Sequence, residues 1–160
     1  MASNTALTGS AGVHYLAFEL AIRGYAVGLT APGVKGIDIL AGDPETGSSV
    51  SIQVKTMTNA HVDIGKPRER WKWRVGKQLG QGQGHKDLLV AFVDMCGGVQ
   101  APAGNSCRPD VFIVPSPLPG RLLWPYPEDA SEPVDYWFVI PARQADKYRN
   151  RWDRIDTALS

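Results

Sequence analysis

The sequence lacks the features that mark several large classes of protein. Its longest apolar runs fall far short of the roughly 18 residues that a membrane span needs, and its first residues show no basic segment followed by an apolar one. We therefore expect neither a membrane span nor a secretory signal. Only two cysteines occur, Cys96 and Cys107, without metal-site spacing or nearby histidines. We expect free thiols, no zinc site and a cytoplasmic location.

A strong excess of one charge is also missing, because 17 basic and 16 acidic residues leave a formal net charge of +1. The whole-chain charge therefore gives no argument for nucleic-acid binding, but the charges are unevenly distributed. Residues 128–135 hold four acids and no base. Five cations instead alternate with other residues along one short segment, namely Lys66, Arg68, Arg70, Lys72 and Arg74. This distribution indicates a domain with one basic face.

The basic segment admits two structures. Its cations alternate with Trp71, Trp73 and Val75, which favours a strand over residues 66–75 with both tryptophans in the core. A helix that starts at Pro67 is the alternative. In a strand, all five cations would face one way and could follow the phosphates of a nucleic acid. An exposed face that contacts only solvent is an equally good interpretation of these five cations.

Hydrophobic periodicity elsewhere predicts an α/β domain with a mixed α+β character. The predicted elements are helices at 8–23 and 142–159 and strands at 26–30, 87–95, 110–115 and 136–140. The proline-rich residues 115–133 read as irregular. A chain of 160 residues suits one domain, so we predict a central mixed β-sheet flanked by helices in a single domain over residues 1–160.

Residues 36–57, GIDILAGDPETGSSVSIQVKTM, predict a β-hairpin. If Asp38 lies opposite Gln53, then Ile39 lies opposite Ile52 and both strands bury the same face. Gln53 and Lys55 point the same way, because strand residues two apart share a face. Directly opposed side chains start about 5 Å apart, so Asp38, Gln53 and Lys55 should form one polar group.

This polar group suits phosphate chemistry. Carboxylate and amide oxygens bind hard cations such as Mg²⁺, and a nearby ammonium can orient water or neutralise developing charge. Glu19 adds a second carboxylate, at the edge of the apolar stripe of the first helix, where burial is costly without a partner. A metal-bound water or Lys55 would be such a partner. A Glu19–Lys55 ion pair without metal is the structural alternative.

Together these residues resemble the PD-(D/E)xK superfamily of restriction-endonuclease-like nucleases, in the branch with a glutamate in the first helix, as in archaeal Holliday-junction resolvases. Glu19 matches the helix acid and Asp38 the strand aspartate, while Gln53 to Lys55 (QVK) stands where the family has (D/E)-x-K. The resemblance implies a restriction-endonuclease-like core and a Mg²⁺- or Mn²⁺-dependent nuclease acting on DNA. It further implies metal ligation by Glu19, Asp38 and Gln53 and catalysis aided by Lys55, and it is compatible with a homodimer.

Gln53 departs from the family pattern, since a neutral amide in place of a carboxylate should lower the affinity for Mg²⁺. Three functions therefore stay open. The first is a metal-dependent endonuclease. The second is an inactive relative that binds nucleic acid or a protein partner through the same cleft. The third is an oligomeric structural protein whose site has decayed.

Overall fold

Two β-sheets and three α-helices make up the described part of the computed structural model, which covers residues 5–31, 33–83, 87–96 and 108–160. Two 3₁₀ helices, Gly120–Leu122 and Ala142–Lys147, complete these elements. In chain order the helices and strands are α1 (Thr5–Ala21), β1 (Ala26–Leu29), β2 (Ile39–Gly42), β3 (Ser49–Met57), β4 (His61–Val62), β5 (Arg70–Gly76), α2 (Lys77–Gly80), β6 (Leu88–Asp94), β7 (Asp110–Pro115), β8 (Leu123–Tyr126), β9 (Asp135–Pro141) and α3 (Asp153–Leu159).

The first sheet is the predicted central mixed sheet. Its strand order is β1-β2-β3-β6-β7, with β3 and β6 parallel and the other neighbours antiparallel. The helices α1 and α3 cover one face, where Leu16, Leu20 and Ile155 pack on the inward side chains of β2, β3, β6 and β7. The α/β fold class and the mixed sheet flanked by helices are thus confirmed.

The second sheet, of order β4-β5-β9-β8, covers the opposite face of the first. Its inward side chains include Trp73 and Phe138, which pack with Phe92 of β6 in a second apolar core. Trp73 is fully buried, and its indole Nε1 donates a hydrogen bond to the carbonyl oxygen of Val93 at 3.0 Å. The sequence did not predict this second sheet, since two of its strands are short and one lies in the proline-rich segment.

The close approach of α1 to β3 depends on Gly12. A Cβ atom added at Gly12 would lie 1.9 Å from the Oγ1 atom of Thr56, so only glycine lets the helix pass this close. This contact fixes the middle of α1 above the carboxyl end of β3 and determines which helix side chains can approach the sheet.

Two local predictions need correction. The basic segment is a strand only from Arg70, which excludes the helix over this stretch and leaves Lys66 and Arg68 in the preceding loop. The predicted helix over 142–159 is interrupted, because the backbone at 148–150 bonds to the edge strand β7 instead of continuing helically. The Ile113 N–H donates to the Tyr148 carbonyl at 2.9 Å, and the Asn150 N–H donates to the Val111 carbonyl at 2.8 Å.

The expectation of free thiols is wrong for Cys96, which is disulfide-bonded. The same expectation for Cys107 concerns a residue outside the described ranges. As for membranes, none of the helices within those ranges combines the length and the apolar character that a membrane crossing requires.

Candidate active site

The β2–β3 hairpin has the predicted register. Ile39 lies opposite Ile52, and the Asp38 N–H donates to the Ile52 carbonyl at 2.9 Å. Ile39 and Ile52 are buried against the helical side of the sheet. Gln53 and Lys55 alternate with the buried residues of β3, so they point to the other face, toward the second sheet. Both side chains are half-buried there.

Asp38 is held in place by the backbone of the partner strand. Its Oδ2 atom accepts a hydrogen bond from the Val54 N–H at 2.7 Å, and the residue is half-buried. A carboxylate that accepts a backbone N–H keeps lone pairs for a further partner. Asp38 is therefore an oriented, partly shielded carboxylate beside Gln53 and Lys55.

The surroundings of Lys55 shift the pKa of its ammonium. Burial lowers the pKa of its ammonium, and the charges of Asp38 and Asp135 raise it by less, so the net shift is downward. The ammonium is thus less strongly solvated and more acidic than an exposed lysine. Such a group can donate hydrogen bonds to an oxygen that develops negative charge, and it can also take part in proton transfer.

Asp135, at the start of β9, is the acid that sequence reasoning missed. Its carboxylate accepts a hydrogen bond from Nε of Arg74 at 2.7 Å, and its charge also acts on Lys55. The cluster of acids over residues 128–135 was visible in the sequence. Its proximity to Lys55 depends on the pairing of β9 with β5 and on the packing of the two sheets, which local periodicity does not reveal.

Glu19 lies in a different environment from the one predicted. The residue is almost fully buried, with 1 % of its surface exposed. Oε2 contacts Arg23 Nη1 at 2.5 Å, and Oε1 contacts Arg108 Nη2 at 2.5 Å. Arg108 also donates from Nε to the Tyr15 hydroxyl at 3.2 Å. The structure thus gives Glu19 two arginine partners on the helical side of the sheet, away from the face that carries Lys55.

The surroundings of Glu19 explain why a carboxylate is tolerated there. Burial alone raises the pKa of Glu19, but hydrogen bonds from Arg108, Arg23 and Tyr15 outweigh it, so the pKa lies below its usual value. These groups line a cleft of about 220 Å³ together with Asn150 and Trp152. The arrangement satisfies the charge of Glu19 without a metal ion.

Three metal ligands were predicted, Glu19, Asp38 and Gln53, and the structure places Glu19 apart from the other two. Within the described ranges no three His, Cys, Asp or Glu side chains come together as a metal cluster. The hairpin offers one carboxylate, Asp38, and one amide oxygen, Gln53. This set fits Mg²⁺ in the form that uses one or two carboxylates and completes its shell with waters and substrate phosphate oxygens. It does not fit a metal held by protein ligands alone.

The cations of the basic segment divide into two groups. Arg70, Lys72 and Arg74 project from the outer face of β5, because the intervening Trp71 and Trp73 are buried in the core as predicted. Lys66 and Arg68 precede the strand and do not belong to this row. A nucleic-acid role for all five stays a prediction.

Comparison with known proteins gives a distant similarity to a solved structure. No protein-family model and no curated protein matches the sequence. Among solved structures, the chain is similar to Hjc, a Holliday junction resolvase from the archaeal hyperthermophile Archaeoglobus fulgidus. The two share 15% sequence identity and superpose with a TM-score of 0.47, over 92% of this chain and 95% of that one. We therefore infer function from the residues of the site.

Proposed function

We propose that the chain is a divalent-metal-dependent nuclease that hydrolyses phosphodiester bonds in DNA at the β2–β3 hairpin. The observation that carries the proposal is the polar face of this hairpin. Asp38, Gln53 and Lys55 share that face, Asp38 is oriented by a backbone hydrogen bond, and burial lowers the pKa of Lys55. A carboxylate beside an ammonium of lowered pKa can stabilise the negative charge of a phosphate and orient an attacking water.

Each residue has a distinct role in this proposal. Asp38 and the amide oxygen of Gln53 would hold the metal ion. A bound Mg²⁺ or Mn²⁺ ion supplies Lewis acidity toward a phosphate oxygen and makes a coordinated water more acidic. Lys55 would donate a hydrogen bond to the attacking water or to a phosphate oxygen and so hold it in line. The negative charge of Asp135, on the neighbouring sheet, would favour the charged form of Lys55.

Glu19 is not needed for these steps. Its two carboxylate oxygens already contact Arg23 and Arg108, so we assign it to the stability of α1 rather than to metal ligation. Glu19 matches the helix glutamate of the family in sequence position, and its role as a metal ligand stays a prediction.

Binding without hydrolysis is the second candidate. It is favoured by the neutral Gln53, which leaves a single carboxylate on the hairpin where a carboxylate pair would hold Mg²⁺ more tightly. In that case the hairpin would contact nucleic acid through Lys55 and would not respond to metal.

Cleavage assays separate the two candidates. Plasmid, single-stranded and branched DNA are incubated with Mg²⁺ or Mn²⁺ and the parent protein, Asp38→Asn or Lys55→Met. Asparagine preserves an acceptor for the Val54 N–H, so loss of cleavage reports on the charge of Asp38 rather than on folding. Lys35→Met is the matched control, because Lys35 is exposed and lies outside the site. Metal-dependent cleavage that both site variants lose supports the nuclease. Cleavage that survives both variants rejects this site.

Several finer expectations stay predictions. They are the choice of DNA as partner, the use of Mg²⁺ or Mn²⁺, a homodimer, a single domain over residues 1–160 and a cytoplasmic location. The disulfide at Cys96 argues against the last of these, because disulfides are rare in the reducing cytosol.

A further inference from the structure

The outer face of the second sheet carries aromatic side chains among its cations. Strand register places Arg74 beside Trp137, and Trp137 beside Trp124 of β8. Trp124 and Tyr126 are two residues apart on β8 and therefore share this outer face with Trp137. Their neighbours Leu123 and Tyr136 instead pack against the inner core. A sheet surface directed away from the core thus presents rings and positive charges side by side.

These rings are accessible although cations lie near them. Trp124 has 46 % and Tyr126 has 36 % of its surface exposed. Lys72 Nζ lies 4.6 Å from the Trp137 ring centroid, and the Arg74 guanidinium lies 4.6 Å from that of Tyr126. Arg70 lies 5.9 Å from the Trp124 centroid, near the limit of such contacts. These contacts leave much of Trp124 uncovered.

We propose that this surface binds single-stranded nucleic acid by base stacking. We call it the basic-aromatic face, and it consists of Arg70, Lys72, Arg74, Trp124, Tyr126 and Trp137. Surfaces that bind single strands without sequence preference combine a row of positive charge with aromatic side chains on which bases stack. Here β5 supplies the charge and β8 and β9 supply the rings.

A single strand fits this face better than a duplex. In a duplex the bases are stacked on one another, so an aromatic ring on a sheet surface has no base face to contact. In a single strand the bases can turn toward Trp124 and Tyr126 while the phosphates meet the cations. A base stacked on a ring gains more than an exposed cation does, so the base can displace the cation, which is then free to bind a phosphate.

An acid on the outer side of the second sheet also acts on the proposed active site. Asp135 lies opposite Tyr126 and pairs with Arg74 of this face, while its charge acts on Lys55 of the hairpin. Asp135 therefore links this face to the hairpin through its charge. The inference rests on the proposed function only in taking nucleic acid as the partner, and it names a single-stranded segment as the substrate class. Binding itself requires neither metal nor hydrolysis.

Equilibrium binding in EDTA tests the inference apart from cleavage. Fluorescence anisotropy is measured with labelled oligothymidylate, oligouridylate and a mixed-sequence DNA duplex, using the parent protein and Trp124→Leu. Removing one stacking ring should weaken single-strand binding by about 5- to 150-fold. Trp124→Phe retains a ring and should bind nearly as well as the parent. Phe18→Leu is the matched control, because Phe18 is an exposed aromatic on α1.

The results separate this inference from the proposed function. Tighter binding of the single strands than of the duplex, weakened in Trp124→Leu and kept in Trp124→Phe and Phe18→Leu, supports it. Tyr126→Leu, with thermal melting of every variant, guards against a folding defect at Trp124. Equal binding of duplex and single strand, or an unchanged affinity in both Trp124→Leu and Tyr126→Leu, would overturn the inference. Failure of cleavage with intact stacking would overturn only the nuclease.

Discussion

Replacing Glu19 by glutamine tests whether the buried carboxylate of α1 serves stability or metal binding. The substitution keeps the shape of the side chain and removes its negative charge. In the parent protein that charge receives hydrogen bonds from Arg23 and Arg108, both at 2.5 Å. Glutamine can still accept from one arginine, but its amide group turns a donor toward the other. The change therefore removes the charge and mismatches at least one hydrogen bond.

The size of the effect follows from the exposure of the three side chains. Hydrogen bonds to charged groups contribute about 1.5–3 kcal/mol each. The Glu19 side chain is only 2 % exposed, but those of Arg23 and Arg108 are 29% and 68% exposed, so water can solvate the released guanidinium groups. We therefore expect the free energy of unfolding to fall by about 2 kcal/mol, well below the sum of two such bonds. For a chain of this length that corresponds to a Tm lower by about 4–8 °C.

The pH dependence gives the measurement a second signature. The pKa of Glu19 in the folded protein lies below its ordinary value of 4.5, so the ion pairs contribute fully above that value. Their contribution disappears as the pH falls through the folded pKa, because the carboxylate is then protonated in both states. The difference in Tm between parent and Glu19→Gln should be constant near neutral pH and should shrink in acid. Melting curves across a pH series measure it, with Glu45→Gln in an exposed turn as the matched control.

One pattern of results would refute the structural role of Glu19. If Glu19 binds metal with the hairpin, Glu19→Gln should leave the Tm without metal nearly unchanged and should abolish any rise in Tm with Mg²⁺. The arginine partners predict the opposite pattern, with a lower Tm in the absence of metal and an unaltered response to Mg²⁺. The two patterns are read from the same titration.

The remaining predictions concern the charge of the two surfaces. Gln53→Glu places a second carboxylate beside Asp38, so the Tm without metal should fall and should rise more steeply with Mg²⁺ than in the parent, as a thermal melt across a Mg²⁺ titration would show. An equal response in both proteins would mean that Gln53 does not face a metal. Joint neutralisation of Arg70, Lys72 and Arg74 to glutamine should lower the salt dependence of nucleic-acid binding by about one unit of slope for each phosphate that the protein no longer neutralises, and an unchanged slope would place the nucleic acid elsewhere.

Local patterns predicted the parts of the fold that short-range pairing determines. The hairpin register follows from alternating side chains over residues 36–57, and Ile39 does lie opposite Ile52. The burial of Trp71 and Trp73 follows from their alternation with cations. In each case the signal and the structure lie within one or two adjacent elements, where the periodicity of the side chains and the direction they point are directly linked.

Contacts between distant segments were not predictable in the same way. Glu19 contacts Arg108, 89 residues further along the chain, and no periodicity of α1 reveals that partner. Asp135 reaches the neighbourhood of Lys55 only because β9 pairs with β5 and the two sheets pack face to face. The strand β8 lies in a proline-rich stretch that reads as irregular, and it pairs with β9 at the edge of its sheet, the position where proline is tolerated.

The charge of Lys55 affects both the stability of the fold and the proposed reaction. Because burial lowers its pKa in the folded state, the unfolded chain binds more protons at alkaline pH, and the free energy of unfolding should rise as the pH approaches the ordinary lysine value of 10.5. At neutral pH the charged ammonium therefore costs stability. Lys55→Met, of similar length and without charge, should raise the Tm by a few degrees, or about 1 kcal/mol, while Lys35→Met on the exposed surface should not.

A lysine that destabilises its own fold makes sense only if the ammonium serves another purpose at that position. If Lys55→Met is more stable and no longer supports metal-dependent cleavage, the cost in stability is explained by chemistry at the hairpin. If the variant is less stable than the parent, the attraction of Asp38 and Asp135 outweighs burial, and Lys55 is a structural ion-pair partner. A more stable variant with unchanged cleavage would show that the ammonium has no role in the reaction. Thermal melting and a plasmid-nicking assay on the same three proteins distinguish these outcomes.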